Sequence, residues 1–125
     1  MIKHLLISII LISCLFSQEI ETFVVSKDID ISESFTFTIK IKDIDVDPEV
    51  DISPMLENFS VIIGPNIGSE YKFINGKKST SRSISWTIVA QKVGKLKIPK
   101  LKVVLAGKQY FTDEVIMNVS KKTID

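Results

Sequence analysis

Phe35-Thr36-Phe37-Thr38-Ile39-Lys40-Ile41-Lys42 alternates apolar and polar residues without a break. In an extended chain successive side chains point to opposite faces, so this stretch has one apolar face and one wet face. The same period returns at Ser83-Ile84-Ser85-Trp86-Thr87-Ile88 and at Val115, Met117 and Val119. Thr22–Val25, Phe59–Ile63, Ser69–Ile74, Leu96–Ile98 and Leu101–Leu105 complete a set of short strand candidates. No window of eleven or more residues favours the 3.6-residue period of a helix.

The punctuation agrees with strands. All five glycines, Gly64, Gly68, Gly76, Gly94 and Gly107, fall between the expected strands. Asn75-Gly76 is the strongest hairpin signal, because a type I′ turn needs positive φ at both central residues. It should join Ser69–Ile74 to Lys77–Val89. The segments 91–94 and 106–108, with Gly94 and Gly107, read as two further tight connections. Ser53-Pro54-Met55-Leu56 reads as one helical turn, capped by Ser53 with Pro54 at the first position. At Pro99 the apolar phase moves from even positions (Leu96, Ile98) to odd ones (Leu101, Val103, Leu105). One extra residue would have to be absorbed, so a bulge or strand switch is expected at Pro99-Lys100. The expected fold is all-β, an antiparallel immunoglobulin-like sandwich of about 7–9 strands, with Trp86 as a core anchor.

The chain has 125 residues, 45% hydrophobic and 25% charged, which suits one globular domain. Its start is an address. Met1-Ile2-Lys3-His4 is basic, Leu5 to Phe16 is mostly apolar, and Ser17-Gln18-Glu19 turns polar. The apolar run falls short of the roughly 20 residues of a spanning helix. Residues 1–17 are therefore expected to be a signal peptide, 18–120 the sandwich and 121–125 a linker or tail. Leu11-Ile12-Ser13-Cys14 also resembles a lipobox, with Cys14 as the lipidated residue, and an uncleaved anchor is a third reading. Each puts the remainder outside the cytoplasm, periplasmic in a bacterium. The single Cys and single His, Cys14 and His4, both lie in this leader. Without it no disulfide, no Cys or His metal site and no Cys- or His-based catalysis is available. No enzyme activity and no cofactor are expected.

Charge is divided along the chain. Residues 18–70 carry twelve acids against three lysines, a net of −9, and residues 71–125 carry twelve bases against three acids, a net of +9. Acidic strands could pair with basic ones across the outer faces, or the two signs could form patches that steer a partner. The densest feature is Asp43, Asp45, Asp47, Glu49 and Asp51, five carboxylates at every second position. In an extended chain they would share one face. A solvated loop or edge strand, a protein contact, or calcium would each account for them. The EF-hand pattern fails, since its glycine position is Pro48 and its closing glutamate position is Pro54. Ser79-Thr80-Ser81-Arg82-Ser83 has no His to activate a hydroxyl and reads as a polar strand face. Lys92, Lys95, Lys97, Lys100 and Lys102 lack interleaved aromatics, so no nucleic-acid partner is expected. Asn58-Phe59-Ser60 and Asn118-Val119-Ser120 match the glycosylation sequon, but so short a match is a weak signal.

The order of these pieces resembles a known family. Leu56-Glu57-Asn58-Phe59 leads to Ile63-Gly64-Pro65, then Ile74-Asn75-Gly76 and a Ser/Thr-rich strand ending in Trp86. Val93-Gly94, Ile98-Pro99, Gly107-Lys108-Gln109-Tyr110, Thr112 and a closing strand at Val115–Val119 follow. Together they look like the first domain of the BatD oxygen-tolerance proteins. The resemblance implies a membrane-associated protein with periplasmic immunoglobulin-like domains, linked to aerotolerance and envelope stress. Such proteins are encoded beside von Willebrand A-domain membrane proteins and a MoxR-type ATPase, and no catalysis is attributed to the domain. It implies protein binding, with von Willebrand A-domain proteins as partners. Family members usually run on to a C-terminal membrane helix. A chain ending at Asp125 is expected to be a fragment or a one-domain relative, reaching the membrane only through its leader, a lipid or that missing helix. Surface adhesion or carbohydrate binding is the alternative, with Tyr71, Phe73, Tyr110 and Phe111 as the candidate stacking rings.

Overall fold

The computed structural model describes residues 19–121, so the leader, Cys14 and the last four residues lie outside it. Ten strands and one 3-10 turn follow in chain order: β1 (Ile20–Phe23), β2 (Asp28–Asp30), β3 (Phe35–Lys42), β4 (Glu49–Asp51), the 3-10 turn (Ser53–Glu57), β5 (Phe59–Ile74), β6 (Lys77–Ala90), β7 (Gly94–Ile98), β8 (Lys102–Leu105), β9 (Lys108–Phe111) and β10 (Val115–Ser120). The architecture is an all-β sandwich. One layer is the four-stranded sheet β1-β3-β6-β5. The other consists of two three-stranded ladders, β2-β10-β7 and β4-β8-β9.

Those two ladders are halves of a single hairpin. Ile98 lies opposite Val115, and Lys102 lies opposite Phe111. Three residues on each strand separate these pairs, so the register passes through the break unchanged. The phase shift seen at Pro99 is therefore not a one-residue bulge. The opposite strand shifts too, from Tyr110 and Thr112 to Val115, Met117 and Val119 facing inward. A matched interruption turns both strands over together, and the hairpin bends as a unit. With β2 beside β10 and β4 beside β8, this layer has the order β2, β9/β10, β7/β8, β4. That is the immunoglobulin arrangement of a four-stranded sheet facing the strands of a central hairpin. β2 joins β10 in parallel, from Asn118 opposite Asp28 to Ser120 opposite Asp30. All other pairings are antiparallel.

The core lies between the layers. Phe37, Ile39 and Ile41 of β3 and Ile84, Trp86 and Ile88 of β6 are buried, as their alternation requires. Leu96, Ile98, Leu101, Val103 and Leu105 face them from the second layer, with Val115, Met117 and Val119. Trp86 is stacked on Phe37, with ring centroids 6.1 Å apart and planes 21° from parallel. Phe35 meets Phe59 edge-on at 5.9 Å. Each buried aromatic or branched side chain of this kind contributes about 1.5–3 kcal/mol by leaving water.

Several local readings differ from the expectation. β5 runs without a turn from Phe59 to Ile74, so Gly64 and Gly68 lie inside a strand rather than between strands. Register shifts between Val61 and Asn66 absorb the cis Gly64-Pro65 bond. Gly64 (φ +131°) packs onto Trp86, where an added Cβ would come within 2.9 Å of the indole. Ser53 does not cap the 3-10 turn. Its hydroxyl and amide both donate to Asp51, and Ile52 occupies the cap position without a side-chain bond. Gly94 begins β7, and 91–94 carries the chain from one layer to the other. Gln91 fixes that corner, its Nε2 donating to the carbonyls of Leu56 and Phe59 at 3.2 Å. Asn75-Gly76 (φ 52° and 77°) and Ala106-Gly107 (φ 48° and 82°) close two-residue hairpins, β5 to β6 and β8 to β9.

Candidate functional site

The registers bring three connections to one end of the sandwich. β3 finishes there at Lys42, opposite Ser81, and β8 finishes at Leu105. The 43–48 loop crosses there from the first layer to β4 in the second. The Ala106-Gly107 turn lies at this end, and the β5–β6 hairpin projects beyond it to Asn75-Gly76.

The five-carboxylate run begins in the crossing loop. The extended geometry that would put all five on one face is broken at its first member, since Asp43 has φ 56°, a left-handed conformation that Asp tolerates. The loop continues to Pro48, which is buried, and only Glu49–Asp51 is strand. All five carboxylates are exposed, but they have different surroundings. Asp43 accepts a hydrogen bond from Ser79 at 3.4 Å. Asp45 and Asp47 lie at 3.4 and 3.7 Å from the Arg82 guanidinium. Asp51 accepts both Ser53 bonds, and these, the hydroxyl first, hold its carboxyl below the usual range. Glu49 lines an open groove with Val50, Asp51, Lys102 and Val104. Among the described residues no three or more His, Cys, Asp or Glu side chains gather as a metal site.

Arg82 is the residue that sequence reasoning passed over. Its side chain is only 17% exposed, while Asp45 is 84% exposed. One terminal nitrogen donates to the Ser69 hydroxyl on β5, and the other reaches the Asp45 carbonyl at 3.3 Å. Nε has no hydrogen-bond partner among the described residues. Arg82 therefore ties the acidic loop to the β5–β6 hairpin. A signal existed: Arg82 is the one arginine beside fifteen lysines, and a planar guanidinium can hold two carboxylates where an ammonium acts as a point charge.

The charge division is partly neutralised across the halves. Arg82 with Asp45 and Asp47, and Lys72 with Glu70 at 3.6 Å, join the basic half to the acidic half. Other pairs stay within a half: Lys40–Glu70 at 3.1 Å, Lys42–Glu21 at 3.0 Å and Lys97–Glu114 at 3.4 Å. The projecting hairpin retains Lys77 and Lys78 as exposed cations, and Lys78 sits 4.8 Å above the Tyr71 ring. Of the four candidate stacking rings, Tyr71, Phe73 and Phe111 are exposed, while Tyr110 is half-buried against the core. No helix among the described residues is long and apolar enough to cross a membrane.

Comparison with curated proteins and with solved structures gives no match. Among protein families, the model described as the BatD DUF11 like domain matches residues 22–119. That span runs from within β1 to the end of the core-facing part of β10 and contains the loop, Arg82 and the projecting hairpin. The sandwich with its acidic end is thus the family's domain, and the chain belongs to the aerotolerance-associated BatD family.

Proposed function

We propose that this domain is a non-catalytic, extracytoplasmic interaction module of a BatD-like, membrane-associated protein, and that it binds von Willebrand A-domain membrane proteins. The observation that carries the reading is the acidic loop, exposed at one end of a rigid sandwich and held in shape by Arg82. A domains often carry a divalent metal with an open coordination position. One carboxylate on a firmly held loop suffices to fill it, because such hard cations prefer oxygen ligands. Asp45 is the best placed of the five, being the most exposed member of the Arg82 pairings while its Oδ1 keeps the side chain oriented. The absence of Cys and His from residues 18–125 supports recognition rather than catalysis.

The test is binding to the cognate A-domain proteins with and without magnesium. Affinity should depend on magnesium and fall at least tenfold when Asp43, Asp45, Asp47, Glu49 and Asp51 become Asn or Gln. Unchanged affinity in that variant overturns the reading. Adhesion or carbohydrate binding is the second reading. It is favoured by the exposure of Tyr71 and Phe73, two residues apart on one face of β5. Binding of soluble oligosaccharides that is lost in Tyr71→Ala and Phe73→Ala would support it.

A further inference from the structure

We propose that two copies of this chain pair through the open edges of β5, antiparallel across a two-fold axis at Tyr71. β5 is the outer strand of its sheet, with β6 on one side and no strand of the described residues on the other. Edge strands are normally blunted, because unpaired N–H and C=O groups invite another chain. Here the register shifts and Pro65 interrupt only the proximal part, and the stretch 66–74 pairs regularly with β6. Ile67, Tyr71, Phe73 and Ile74 on it are large, apolar and exposed, Phe73 at 74%.

The hydrogen-bond parity of this edge is fixed. Asn75-Gly76 closes a two-residue turn, so Ile74–Lys77 is a hydrogen-bonded pair and every second pair from it is another. Lys72 and Glu70 therefore turn their backbone groups toward β6, while Phe73, Tyr71 and Ser69 turn theirs to the open side. An independent contact agrees. Thr80, opposite Tyr71, points its carbonyl away from β5 and accepts from the Ile44 amide at 3.2 Å.

Charge then selects the partner and the register. An antiparallel copy centred on Tyr71 sets Glu70 opposite Lys72 of the second copy, and Lys72 opposite its Glu70. Centring on Glu70 or Lys72 opposes like charges, and centring on Ser69 or Phe73 leaves both charges facing uncharged residues. Only the Tyr71 register is self-complementary, as an isologous two-fold contact requires. It also makes Tyr71 a hydrogen-bonded pair with its own copy and sets Ser69 opposite Phe73. The ladder would run over 68–74, ending at the Asn75 turn. On the inner face, each Phe73 ring then lies diagonal to Tyr71 of the second copy, within reach of an aromatic contact.

The test uses the full chain carrying Cys14→Ser and one new cysteine. A hydrogen-bonded antiparallel pair has its Cα atoms about 5.5 Å apart, within the range a disulfide spans. Tyr71→Cys should therefore cross-link to a dimer under mild oxidation. Ser69→Cys should not, because its two copies would be about 13 Å apart along the strands. Both sites are exposed, and Trp86 fluorescence checks that the core is intact. Sedimentation gives a second readout that needs no cysteine. Glu70→Lys should weaken self-association about tenfold, and adding Lys72→Glu should restore it. A folded wild-type chain that stays monomeric at every concentration overturns the proposal and leaves the edge to another protein. So does cross-linking at residue 69 as strong as at 71, or a double charge swap that fails to recover association.

Discussion

Thr112 and Leu101 face one another across the bend of the central hairpin and hold it with two hydrogen bonds. The Leu101 amide donates to the Thr112 hydroxyl at 2.9 Å, and the Thr112 amide donates to the Leu101 carbonyl at 3.0 Å. Both residues are buried, and Thr112 is the one buried polar residue among the described residues. The hydroxyl stands in for a backbone acceptor at the point where the regular ladder is interrupted. A buried amide left without a partner costs about 1–3 kcal/mol, so this side chain lets the strand pair turn over without that loss.

Thr112→Val keeps the shape and removes the acceptor. It should lower stability by about 1–3 kcal/mol in urea unfolding. Thr112→Ser keeps the acceptor and should lose less than Val. Equal loss in both variants would show that the hydroxyl is not what holds the bend.

Gly64 is the second point where one atom decides. A Cβ there would sit 2.9 Å from Trp86 Cδ1 and 3.0 Å from the Ser85 carbonyl, at a φ of +131° that other residues rarely adopt. The Ser85 side of the clash is backbone and cannot swing away. Gly64→Ala should destabilise by at least about 2 kcal/mol and alter the Trp86 emission. Gly76→Ala, which meets nothing within 4 Å, has only the cost of its φ and should leave the emission unchanged.

What could be read from the residues depended on how local the cause was. β3 was legible because one strand with one buried face writes its period into eight consecutive residues. Asn75-Gly76 was legible because positive φ is a property of the turn residues themselves. β2 and β4 were not, since three residues carry no period and both strands exist by pairing with β10 and β8, distant in sequence. The paired shift opposite Pro99 needed the register of two strands at once. At the candidate site the carboxylates were visible as a pattern. Their different environments were not, because Arg82 and Ser79 approach from more than thirty residues away.

Arg82 should be needed for the shape of the loop rather than for the fold. It is mostly buried, and its partners Asp45 and Asp47 are well exposed, so the ion pairs are screened on one side only. Arg82→Gln should cost about 1–2 kcal/mol, above the range of surface pairs and below that of a fully buried one. The sharper readout is hydrogen exchange. The Ile44 amide, bonded to Thr80 next to the loop, should exchange faster in the variant, while Ile39 and Ile84 in the core keep their protection. Arg82→Lys should recover only part of the effect, because an ammonium cannot serve Ser69, Asp45 and Asp47 together.

Stability should be flat through neutral pH and fall at both extremes. Among the described residues there is no histidine, the side chain that ordinarily titrates between pH about 5 and 8. Glu70 is held below its ordinary value by the Lys40 hydrogen bond first and by the Lys40 and Lys72 charges after it. Asp51 is held down chiefly by the Ser53 hydroxyl. A lowered carboxyl stabilises the fold above its unfolded pKa, about 4, and that contribution disappears as pH drops through the folded value. Lys42 is raised, first by the hydrogen bond from its ammonium to Glu21 and then by the charges of Glu21 and Glu19. Its contribution is complete below about pH 10 and is lost as pH climbs through the raised value. All three groups are solvent-exposed, so the slopes should be shallow and should flatten further in high salt. Thermal midpoints from pH 3 to 11 in the wild type and in Glu70→Gln check this. The variant should lose most of the Glu70 share of the acid slope and keep the alkaline one, and a midpoint that moved through pH 6–7 would contradict the assignment.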